Sequence, residues 1–71
     1  MSPDKLAYMA NQIGIFFAHQ KHDAAVTAIA EHLVKYWDPR MRKTILAHAD
    51  EVKLDPAVRE AVERIRNYQP A

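Results

Sequence analysis

The chain contains no cysteine, one glycine and a single serine. Without a thiol there is no disulfide, no cysteine-ligated iron–sulfur cluster and no thiolate nucleophile. Ser2 precedes a proline and reads as a helix cap, not a nucleophile. Thr27 and Thr44 fall inside helical stretches with no base beside them. One glycine leaves no glycine-rich phosphate loop. No apolar run approaches the ~20 residues that a membrane span needs. A basic excess is also missing. The net charge is +1 and the pI ≈ 8.1, short of the pI above ~9 that marks a nucleic-acid-binding domain. The opening Met1-Ser2-Pro3-Asp4-Lys5 has neither the basic start nor the apolar run of a signal peptide. A cytoplasmic location is the expectation.

What is present is a strongly apolar small chain. At 49% hydrophobic, it is too apolar for a disordered segment. Its 71 residues make one domain, 1–71. A core of this size rarely supplies more than ~3–5 kcal/mol, and small domains usually add a disulfide, a metal or a partner. With disulfides excluded, a partner is a reasonable expectation before any motif is read.

The pattern is all-α. Ser2-Pro3, Asp38-Pro39 and Asp55-Pro56 each place a capping oxygen before a proline at the first helical position. Asp23 is the expected cap of a further start. Helices are predicted over about 3–18, 23–37, 39–51 and 56–67, joined by short connections as a four-helix arrangement. Leu6, Met9, Ala10, Ile13, Phe16 and Phe17 form the apolar face of the first helix, with Tyr8 and Ile15 on other faces. Gly14 sits mid-helix, where it costs roughly 1 kcal/mol against alanine. Close packing of a neighbouring helix is one reading, and approach by a partner's backbone the other. Val26, Ile29, Ala30, Leu33 and Trp37 line the second helix, Met41, Ile45, Leu46, Ala49 and Val52 the third, and Val58, Ala61, Val62 and Ile65 the fourth.

No catalytic or metal pattern emerges. His19 and His22 are separated by an expected helix end, and His32 and His48 stand alone on their helices. There is no His-Glu-x-x-His. Asp50-Glu51 and Glu60/Glu63 read as solvated charges.

The central stretch Tyr36-Trp37-Asp38-Pro39-Arg40-Met41-Arg42 breaks a local rule. Arg40, Arg42 and Lys43 open the third helix, whose N-terminus is electropositive, and Asp50 and Glu51 close it. Each misplaced charge costs about 0.3–1 kcal/mol at low salt. Local rules are most often broken at functional sites, and aromatic, Met and Arg side chains are enriched at protein interfaces. One reading makes this corner a docking site, with the arginines pairing to a partner's carboxylates or carbonyls. The other puts Trp37 and Met41 in the core and leaves the arginines in water.

Met9-Ala10-Asn11-Gln12-Ile13-Gly14, Phe16-Phe17, Ile29-Ala30-Glu31-His32-Leu33 and Trp37-Asp38-Pro39-Arg40-Met41-Arg42 resemble the delta subunit of NAD-dependent molybdenum formate dehydrogenases. The opening Ser2-Pro3-Asp4-Lys5-Leu6 fits as well. Tyr36 stands where that family would lead one to expect phenylalanine. Beyond Val52 the match is confined to helical character and the Asp-Pro start. The resemblance implies a cofactor-free, non-catalytic accessory chain in a cytoplasmic complex. Partner subunits would carry the molybdopterin guanine dinucleotide, iron–sulfur clusters, FMN and the NAD site. Formate would be oxidised to carbon dioxide on the catalytic molybdenum subunit, the expected partner. No nucleic acid or membrane is expected. Expected partner-binding residues are Asn11, Gln12, Tyr36, Trp37, Arg40, Met41 and Arg42. A transient factor for molybdenum-cofactor insertion is the alternative.

Overall fold

In a computed structural model, the described residues, 2–67, fold as α1 (Pro3–Phe16), α2 (His22–Tyr36), α3 (Pro39–Ala47) and α4 (Pro56–Arg66). No strand occurs among them. The all-α, four-helix expectation holds.

Two of the written starts are capped as read. Ser2 Oγ accepts from the Lys5 N–H at 3.2 Å, and an Asp38 carboxylate oxygen accepts from the Met41 N–H at 2.8 Å. The others differ. Asp55 precedes the first turn of α4 without a side-chain cap bond. Its own N–H instead donates to Asn11 Oδ1 at 3.0 Å. α2 starts one residue early, from an extended Lys21 with no side-chain cap. Asp23 lies inside the first turn, where its charge suits the electropositive helix end.

Two helices end earlier than their apolar spacing implies. α1 stops at Phe16, and residues 17–20 tighten into i→i+3 bonds, Ala18 N–H to Ile15 O and Gln20 N–H to Phe17 O. α3 stops at Ala47 rather than 51. The Glu51 N–H closes a turn on His48 O at 2.9 Å, which brings Ala49 and Val52 inward. Arg59 then donates from Nη1 to Ala49 O and from Nη2 to Val52 O. A side chain from α4 thus satisfies two carbonyls of the connection that follows α3.

The core runs through all four helices. Leu6, Ala10, Val26, Ile29, Leu33, Ile45, Val58, Ala61 and Val62 are fully enclosed, and Trp37, Ala49, Val52 and Leu54 add side chains from the connections. α2 packs most extensively against α4, while α1 lies against α3 and α4. Gly14 marks the approach of α1 to α4. A Cβ placed there would stand 2.5 Å from Val58 Cγ2. Close packing within the chain accounts for this glycine.

Phe16 is the main correction to the apolar face of α1. It is 72% exposed, while Ala7 is buried. The buried arc centres on Ala10, and Phe16, six residues on, lies about 120° around the helix from it. Three- and four-residue spacing alone does not fix how wide the covered arc is.

Candidate interaction surface

The central stretch folds back on itself. Trp37 ends α2 with 5% of its surface exposed and belongs to the core cluster. Asp38 and Pro39 then start α3. One turn later Arg42 Nη1 donates to the carbonyls of Leu33 (3.3 Å), Val34 (3.1 Å) and Trp37. Leu33 and Val34 both lie in the last turn of α2; the Leu33 carbonyl also accepts from the Trp37 N–H at 3.2 Å, while helix geometry leaves the final carbonyls without a partner in the next turn. Arg42 therefore sits in sequence at the N-terminus of α3 but in space at the C-terminus of α2. The helix dipole favours a cation there.

The other expected contact residues divide in the same way. Asn11 donates from Nδ2 to Lys53 O at 3.0 Å and accepts from the Asp55 N–H at 3.0 Å, tying α1 to the α3–α4 connection. Met41 is partly buried against the core. Gln12, Tyr36 and Arg40 are exposed. Asp50 and Glu51 lie beyond the end of α3, and Glu51 pairs with His48 at 3.3 Å.

Exposed apolar side chains complete the picture, and of these Phe16 is the one expected on the buried face. Tyr8, Ile15, Phe16 and Tyr36 are the large apolar or aromatic side chains left exposed among the described residues. Phe16 meets Phe17 edge-on with ring centres 5.0 Å apart, and Tyr36 leans on His32 at 4.7 Å. Gln12, Ile13, Phe16, Phe17 and His32 line an open hollow between α1 and α2. An aromatic surface therefore connects the C-terminal half of α2 to α1. Its sequence signal was the pair Phe16-Phe17, two adjacent aromatics that one helix face cannot both bury.

A family model described as the NADH-dependent formate dehydrogenase delta subunit FdsD matches residues 5–62. The chain belongs to that family. No curated protein and no solved structure shows a significant match. The motifs that resemble this delta-subunit family now have structural roles. In Met9–Gly14, Ala10 is enclosed, Gly14 admits α4 and Asn11 ties down a connection. In Trp37–Arg42, one residue fills the core, Asp38 caps α3, and Arg42 closes α2. Gln12 and Arg40 are the members of these two motifs that face solvent with no side-chain bond inside the described chain.

Charged pairs lie elsewhere on this delta-subunit fold. His22 meets Glu60 at 3.2 Å, and Arg66 donates to Glu63 at 2.8 Å. The Arg66 hydrogen bond holds the Glu63 carboxyl below its ordinary pKa, against a smaller opposing effect of desolvation. Among the described residues, no group of three or more His, Asp or Glu side chains is placed to hold a metal. No described helix is long and apolar enough to cross a membrane.

Proposed function

We propose that this chain is a non-catalytic accessory subunit of a cytoplasmic, NAD-dependent molybdenum formate dehydrogenase. It docks on the catalytic subunit that oxidises formate to carbon dioxide. The molybdopterin guanine dinucleotide, iron–sulfur clusters, FMN and NAD reside in its partners. Binding the folded partner and not the unfolded one stabilises the folded form by mass action.

Membership of the delta-subunit family over residues 5–62 carries this reading. The exposed Gln12, Tyr36 and Arg40 support it as contact residues. Asn11, Trp37, Met41 and Arg42 contribute by fixing the elements that present them. The absence of cysteine agrees with electron-carrying clusters held elsewhere.

The test is a pull-down of the tagged chain from cells expressing its native neighbours, followed by gel filtration and metal analysis. The expected result is stoichiometric co-elution with an active enzyme containing molybdenum and iron. Capture of metal-free enzyme alone would assign the chain to cofactor insertion. Elution without any formate dehydrogenase subunit would overturn the proposal.

A further inference from the structure

The open hollows of the described surface differ in the charge they leave free. The one between α1 and α2, beside His32, is lined by no Asp, Glu, Lys or Arg. Asp38 and Arg40 both border the one next to Leu6, but the Asp38 carboxylate already accepts the Met41 N–H. In the one beside Ile15, His22 is already paired with Glu60.

The hollow between α2 and α4 is different. It has a volume of about 480 Å³ and is lined by Ala30, Glu31, Val34 and Lys35 from α2 and by Arg64 and Ile65 from α4. Ala30 and Ile65 belong to the core, and Val34 is partly buried against it, so the floor is apolar. The rim is charged with both signs, and Glu31, Lys35 and Arg64 are exposed. Arg64 reaches across to α2, where its Nη1 donates to Thr27 Oγ1 at 2.9 Å. Glu31 and Lys35 are one turn apart, in the order that favours an i,i+4 pair. They nevertheless form no ion pair with each other or with any other described residue.

The spacing of these two charges is complementary to itself. Positions 31 and 35 lie about 40° apart around the helix and about 6 Å apart along it. In a contact about a twofold axis, residue i meets residue j of the copy and j meets i. Two α2 helices running antiparallel about an axis level with residue 33 bring Glu31 against Lys35 of the copy, and Lys35 against its Glu31. One contact forms both pairs. A parallel arrangement would set like charges against each other, which is unfavourable.

We propose that this hollow is an interface between two copies of the chain. They join antiparallel through α2, with Glu31 and Lys35 paired across the axis and Val34 covered beside them. Gln12, Tyr36 and Arg40 do not line the hollow, and pairing of two copies does not depend on the accessory-subunit role.

Sedimentation equilibrium of the full chain over a range of concentrations, at low and high salt, gives the dissociation constant of the dimer. The parent is expected to form a reversible dimer that weakens with salt. Glu31→Lys turns both symmetry-related pairs from attraction to repulsion, and so does Lys35→Glu. Each is expected to raise the dissociation constant about tenfold or more. Mixing the two single variants is the decisive step. A Glu31→Lys chain against a Lys35→Glu chain again sets a cation opposite a carboxylate at both places. The mixture is expected to pair where neither variant pairs with itself, which charges acting only within one chain would not produce. The double variant Glu31→Lys/Lys35→Glu is expected to regain the affinity of the parent, and Arg40→Glu, outside the hollow, to keep it. Circular dichroism melts check that the variants keep the helical fold. A parent chain that stays monomeric at every concentration, folded or not, overturns the proposal. So does a dimer that both reversals leave unchanged, or a mixture that associates no better than its components. A monomeric parent whose binding to delta-free enzyme complex is lost in both single variants would give the hollow to another subunit instead.

Discussion

Gly14→Ala sets two effects of opposite sign against each other. Alanine in a helix interior is worth about 1 kcal/mol more than glycine. Gly14 has no positive φ, so alanine fits its backbone without strain. Against this, the new Cβ would lie 2.5 Å from Val58 Cγ2. Carbon atoms in contact prefer about 3.5–4.0 Å, so the two helices must separate by about 1 Å or Val58 must turn. Val58 is β-branched, stiff at χ1 in a helix, and fully enclosed. Overpacking of this kind costs ~1–3 kcal/mol. The steric effect wins, and Gly14→Ala is expected to lose about 1 kcal/mol. Val58→Ala alone leaves a cavity and costs ~2 kcal/mol. In the double variant the methyl group introduced by Gly14→Ala enters the vacated space, so adding that substitution to Val58→Ala becomes neutral or stabilising. The coupling is about 1–2 kcal/mol. Urea unfolding reads it directly, with the single tryptophan, Trp37, buried in the core as fluorescence probe. A gain of the full propensity difference by Gly14→Ala in the parent background would refute the close-approach argument.

Three further outcomes follow from named contacts. Arg42→Ala is expected to destabilise the chain by about 2 kcal/mol, because a cationic donor to the α2 carbonyls is lost. Arg40→Ala should stay within ~0.5 kcal/mol in the same urea assay, and equal losses would contradict the distinction between them. Asp38→Ala should cost about 1 kcal/mol for its cap bond, and Asp55→Ala clearly less, since its carboxylate makes none. Thermal melts of the two variants make that comparison. Glu63 has a lowered carboxyl pKa in the fold, so its contribution is present above the ordinary carboxylate range and fades as pH falls through the lowered value. Glu63→Gln should therefore be slightly less stable than the parent near neutral pH, the difference closing in acid as the Glu63 carboxyl takes up its proton. The pair is exposed, so the difference at neutral pH is small. A difference that persists in acid would exclude this pair as its source.

Much of the fold is legible in the sequence because its punctuation is local. Pro3, Pro39 and Pro56 each fix a helix start through one residue's φ and one missing N–H. Helix ends are less local. α3 stops at Ala47, and Arg59, on a different helix, bonds the carbonyls of Ala49 and Val52 in the connection that follows. Nothing between residues 39 and 51 announces that. The outward turn of Phe16 likewise depends on how α2 crosses α1, a tertiary fact. Of the candidate surface, Gln12, Tyr36 and Arg40 are exposed as a docking role requires. Phe16 and His32 come beside that surface only once α1 and α2 are placed together.

The reversed charge of α3 shows how one signal can have two causes. Judged along α3 alone, Arg40 and Arg42 are equally misplaced. In space they are not equivalent. Arg42 lies against the last carbonyls of α2, so its unfavourable position on one helix is a favourable position on another. The same argument removes Asp50 and Glu51, which stand beyond the end of α3. Arg40 and Lys43 have no such compensation among the described residues. A charge reversal that the fold resolves is structural. The part it leaves unresolved is where a second chain can gain most, because pairing there removes a repulsion as well as adding an attraction. That is why Arg40, rather than Arg42, is the cation of this stretch offered to a partner.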